Sequence, residues 1–184
     1  RLLKFPVNAP ANTPISLNAG FDGFAMDFNG DASVLYGITA LPANPGQLFG
    51  TIDTTTGNFT SIGVTGVAEG NWAGLSHDAT SGTMYALAGA NLYTINVATG
   101  AATLATPITG VAAGGLLIDF AIHPTTGVIY GHDIVGDTMY SVDKVTGVAT
   151  LLGPTGFLAN FAQGMDFDPQ TGILYAAVYT GGGT

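Results

Sequence analysis

The chain has 184 residues, a formal charge of −9 from 12 acidic and 3 basic residues, and no cysteine. Three cations are too few for the phosphate contacts of a nucleic acid or an anionic membrane. Without cysteine there is no disulfide, thiolate metal site or cysteine nucleophile.

Hydrophobic residues make up 47% but charged residues only 8%, against roughly 25% in an ordinary soluble domain. The surface must therefore be built largely from Thr, Ser, Asn, Gly and Ala, and such a surface packs readily against neighbours. No apolar run approaches the ~18–20 residues of a membrane span, so membrane insertion is not expected. Beginning at Arg1, the chain reads as a processed product or a piece of something longer. Its acidic balance, low charge and abundant Gly and Thr resemble those of bacterial and archaeal proteins that are secreted or exposed at the cell surface.

In chain order, residues 2–8 and 13–17 read as two short strands. A longer phrase then returns four times: Ala25-Met26-Asp27-Phe28 with Leu35-Tyr36-Gly37, Gly74-Leu75-Ser76-His77 with Met84-Tyr85-Ala86, Asp119-Phe120-Ala121-Ile122 with Ile129-Tyr130-Gly131, and Gly164-Met165-Asp166-Phe167 with Leu174-Tyr175-Ala176. Its tyrosines recur at spacings of 49, 45 and 45 residues. Between the two halves of each phrase lies a turn opened by a hydrogen-bonding side chain: Asn29, Asp78, His123 or Asp168. A second set of turns, Asp53–Gly57, Asn96–Gly100 and Asp143–Gly147, closes on glycine where a positive φ is needed. Alternating runs such as Leu92-Tyr93-Thr94-Ile95 read as strand, and no stretch holds a helical apolar period.

A repeat of about 45 residues made of short strands is the signature of a β-propeller, one four-stranded antiparallel blade per repeat. The boundaries are a half-blade at 1–17, blades at 18–66, 67–110 and 111–155, and a half-blade at 156–184. Pairing Leu174–Val178 with Leu2–Phe5 would join the halves and hide their edges. Two architectures are compatible with four blades' worth of chain: a closed four-bladed ring, or part of a larger propeller. The pattern Leu92-Tyr93-Thr94-Ile95-Asn96 to Thr99-Gly100, repeated as Met139-Tyr140-Ser141-Val142-Asp143 to Thr146-Gly147, resembles secreted propeller repeats of the YVTN/NHL-like kind. That resemblance covers the chain and implies architecture. It transfers no catalytic site.

Candidate site residues lie on the innermost strands, which place Asp27, Ser76, Asp119 and Asp166 among small residues near the axis. Three converging carboxylates, Asp27, Asp119 and Asp166, would suit a hard cation such as Ca²⁺; alternatively they hold channel water and cap main-chain amides. Trp72, beside the linker Ala68–Asn71, is placed either to stack on a sugar or to wedge between blades. His77 occupies an apolar slot, His123 a turn-capping place, and the adjacent His132-Asp133 point to opposite strand faces. The sequence favours a non-catalytic structural or adhesive module, a subunit of a surface assembly or filament, whose partners are copies of itself or other surface proteins. Its alternatives are a sugar- or calcium-binding propeller module, with carbohydrate as partner, and a propeller lyase or hydrolase.

Overall fold

The computed structural model describes residues 3–4, 13–14, 23–42, 46–69, 71–161 and 164–181. Among them are sixteen strands and no helix. Three antiparallel four-stranded sheets follow one another along the chain. The first is β3 (Gly23–Phe28), β4 (Leu35–Pro42), β5 (Gln47–Ile52) and β6 (Phe59–Val64). The second is β7 (Trp72–Asp78), β8 (Thr83–Ala88), β9 (Asn91–Ile95) and β10 (Ala102–Pro107). The third is β11 (Leu117–Ile122), β12 (Ile129–Asp133), β13 (Thr138–Val142) and β14 (Ala149–Pro154). Two-stranded sheets stand at either end: β1 (Leu3–Lys4) with β2 (Thr13–Pro14), and β15 (Gly164–Phe167) with β16 (Leu174–Ala177).

The repeat is carried in the ladder register. Tyr36 pairs with Asp27, Tyr85 with Ser76, Tyr130 with Ala121 and Tyr175 with Asp166, the same place in each blade. Register also separates the axial residues into two levels. Asp27, Ser76 and Asp166 share one, while Asp119 pairs with His132 and lies one level earlier, opposite the places of Ala25, Gly74 and Gly164.

Each sheet is a simple meander whose first strand is innermost. β3 lies against β7, β7 against β11, and β11 against β15. The apolar core forms between sheets. Ile38 and Phe49 of the first blade meet Leu75, Met84 and Tyr93 of the second. Leu87 and Leu92, on the opposite face of the second blade, meet Phe120, Ile129 and Tyr140 of the third. A blade flanked on both sides must be apolar on both faces, which is why β8 is buried along nearly its whole length. Each large side chain shut away in this manner contributes roughly 1.5–3 kcal/mol.

The expected pairing of Leu174–Val178 with Leu2–Phe5 falls partly on residues outside the described ones, since Leu2 and Phe5 are not among them. Among the described residues β16 pairs with β15 alone and β1 with β2 alone.

Candidate functional site

The inner strands bring Asp27, Ser76 and Asp119 to the junctions between blades, and there each bonds the backbone of the next blade. Asp27 Oδ2 accepts the His77 N–H at 2.7 Å, Ser76 Oγ the Ile122 N–H at 3.2 Å, and Asp119 Oδ2 the Met165 N–H at 2.6 Å. Three successive junctions thus share one device: a polar side chain fastens onto the amide one position further along in the neighbouring inner strand. The second carboxylate oxygens accept local amides, Phe28 N–H on Asp27 and Phe120 N–H on Asp119. Asp166 Oδ1 accepts the Phe167 N–H at 2.7 Å.

Electrostatics set these carboxyls apart from ordinary ones. Burial, followed by the charge of Asp166, pushes Asp27 up to about 7 against the pull of its two amide bonds. Burial likewise pushes Asp119 up to about 7; its two amide bonds oppose this and the charges of Asp166 and Asp27 reinforce it. Burial also raises Asp166. The three therefore sense one another, but the hydrogen-bond partners of Asp27 and Asp119 among the described residues are main-chain amides. No three His, Asp or Glu side chains of the described residues converge as a metal site would require.

The remaining candidates have structural partners. Trp72 is 1% exposed, donates its indole N–H to Gln47 Oε1 at 2.8 Å and packs against Tyr93. Its ring is a wedge between blades, closed to a stacking ligand. His77 lies over Gly30 in the turn of the preceding blade. His123 Nδ1 faces the Thr125 and Thr126 amides in its own turn, and its ring packs on Phe167. Asp133 is fully buried and accepts the Leu116 and Val135 amides through Oδ1. The neighbouring His132 packs edge-on against Phe157, and burial lowers its pKa.

Two cavities, each of about 420 Å³, lie along the inner strands and share Phe24 and Ala73. One is bordered by Asp119, Asp166, Met26 and Tyr175. The other, at the end where the inner strands begin, is a mouth set by a repeated irregularity. The ladder slips by one residue at Phe24, at Ala73 and at Ile118, the residue just before Ala25, Gly74 and Asp119. All three line this mouth, as do Asn71, Leu116 and Phe161, each three residues before Gly74, Asp119 and Gly164. Sequence reasoning misses this set, because a bulge breaks the alternation by a single residue and that leaves no clear mark in composition or period.

No family model and no curated protein matches the chain. Solved structures do. An auxiliary nutrient binding protein from Bacteroides thetaiotaomicron VPI-5482 superposes on 86% of this chain with a TM-score of 0.57 at 15% identity. Myxococcus xanthus glutaminyl cyclase superposes on 85% at 0.59 and 18% identity. The Myceliophteria thermophila Cps50 (Swd1) β-propeller domain superposes on 85% at 0.53 and 17% identity. The chain spans 36%, 66% and 47% of those proteins respectively. At this identity the likeness concerns the fold, and the fold is a β-propeller built of four-stranded antiparallel blades.

Proposed function

We propose that this chain is a non-catalytic propeller module that works by assembly outside the cell, joining copies of itself or other surface proteins. The observation that carries this reading is apolar side chains left exposed, among the described residues, on the first blade and on the last half-blade, which border one cavity through Met26 and Tyr175. On β3, Met26 is 45% exposed and Phe28 40%; on the last half-blade, Ile173 is 52% exposed and Tyr175 62%. At the equivalent of Met26, Leu75 in the second blade is 5% exposed and Phe120 in the third 2%. All three residues are apolar, and Leu75 and Phe120 each have a described blade packed over them, so the exposed faces of β3 and of the last half-blade suit another apolar sheet. Two further features support the reading: the sparse charge and the main-chain commitments of Asp27 and Asp119.

Electron microscopy and sedimentation of the full chain test it. Ordered polymers or discrete oligomers are the expected result; dispersed monomers at high concentration would argue against it. A calcium ion among Asp27, Asp119 and Asp166 is a second reading, favoured by the mutual repulsion of these carboxyls, and it requires the three side chains to draw together. Calcium should then raise the melting temperature, and an unchanged melting temperature removes this reading.

A further inference from the structure

We propose that the mouth cavity binds an uncharged saccharide of one or two rings. Three successive blades carry a β-bulge at the same place, and the extra residues Phe24, Ala73 and Ile118 all line the cavity. A bulge turns its side chain off the regular pleat and leaves its main-chain groups outside the ladder. Repetition in three blades makes this a property of the architecture. The small member, Ala73, leaves space between two large ones.

The lining is chemically selective. Phe24 is 41% exposed and Phe161 61%, so both offer apolar ring surface to the cavity. Beside them stand the exposed carboxamide of Asn71 and the main chain released by the bulges. No charged side chain occurs among the described lining residues, although the chain as a whole carries −9. An anionic ligand would lose its hydration here without gaining a counter-charge. A wholly apolar ligand would bury the Asn71 amide and the bulge N–H and C=O groups unpaired. A neutral saccharide meets both demands: its C–H face covers the phenyl rings while its hydroxyls pair with the amide and main chain. The volume of about 420 Å³ lies within the roughly 300–1,000 Å³ of small-molecule sites.

Trp72 is the sole tryptophan and lines this cavity from below its surface, so its emission reports occupancy. The full chain is titrated with cellobiose, maltose and N-acetylglucosamine, and with glucuronate as the charged control. Each is taken to about 10 mM, enough to load even a millimolar site, and Trp72 emission and calorimetric heat are followed. At least one neutral sugar should bind saturably and glucuronate should not. Phe161→Ala should weaken binding about tenfold at an unchanged melting temperature, since Phe161 is exposed in a connection. Ala73→Leu, which fills the cavity, should show the same loss. Silence from all three neutral sugars, equal binding of glucuronate, or saturable binding indifferent to Phe161→Ala would each overturn the proposal.

Discussion

A carboxylate set between two blades meets opposing demands: burial favours its neutral form, while amide donors favour its anion. At Asp27 and Asp119 burial prevails and the carboxyls hold their protons to about pH 7. The unfolded chain releases the same protons near 3.8. Between those values the folded state binds more protons, so its stability falls as pH rises through the window. The opposite holds at lower pH. Asp31 is held below its usual range chiefly by Ser33, and Asp53, Asp143 and Asp168 chiefly by turn amides. Their contribution is lost as pH drops below about 4. The melting temperature is therefore expected to peak at about pH 4–5, and Asp27→Asn with Asp119→Asn to flatten the fall toward pH 8. A maximum at neutral pH in calorimetry would contradict this assignment. Asp78 is the reverse case. Burial works to raise it, but Lys144 Nζ at 2.5 Å, with Thr80 and Ser81, outweighs burial and holds it at about 2. This pair ties the second blade to the third, with Asp78 fully buried and Lys144 partly exposed. Lys144→Met should cost about 2 kcal/mol in urea denaturation by leaving the carboxylate without its partner, and Asp78→Asn in the same chain should recover part of it.

The turns between third and fourth strands do more than reverse the chain. Asp143 Oδ1 accepts the Val145 and Thr146 amides, and Gly147 closes the turn at φ 73°. A Cβ on Gly147 would collide with the carbonyl of Pro107 at the end of the second blade. Thr109 N–H in turn reaches the Gly147 carbonyl and Ala149 N–H the Thr109 carbonyl. The turn is thus a blade-to-blade joint, and Gly147→Ala should cost about 2–4 kcal/mol through strain and displacement of that backbone. An effect as small as that of an exposed loop substitution would show that the joint yields. The Asp-to-Gly spacing and the need for a positive φ are legible in the sequence, as are the strands and the equivalence of the four tyrosines. The docking on Pro107 is not, because period and turn chemistry describe a blade by itself. The same limit explains the site. Asp27, Ser76 and Asp119 read correctly as inner-strand polar residues, but their partners belong to the next blade. Trp72 reads equally well as stacking platform or wedge, and only the Gln47 carboxamide opposite its N–H decides for the wedge. The bulges at Phe24, Ala73 and Ile118 stay hidden, since one extra residue does not disturb a repeat of about 45.

A row of blades with both faces apolar has an intrinsic end problem: every interior sheet is covered twice and each terminal sheet once. Among the described residues the first blade leaves Met26 and Phe28 exposed, and the last half-blade leaves Ile173 and Tyr175 exposed. Among the described residues β16 also pairs on one side alone, and an open sheet edge adds a directional demand to the apolar one. Both demands are met by another sheet of the same kind, and a second copy of this chain carries two such faces. Contact between the first blade of one copy and the last half-blade of another is heterologous, so it produces a ring where the rotation closes and a filament where it does not. At tens of micromolar the chain should therefore sediment well above its 18.5 kDa. Met26→Asp or Tyr175→Asp places a charge in the contact and should return it to monomer, since an uncompensated charge costs more than one such contact supplies. Both residues are exposed in the single copy, so circular dichroism and melting temperature should be unchanged. The two substitutions act on opposite sides of one interface, so mixing the variants restores a single competent contact per pair and should give dimers but no longer species. Monomeric wild type, or variants that assemble as it does, would move the function of this propeller away from assembly.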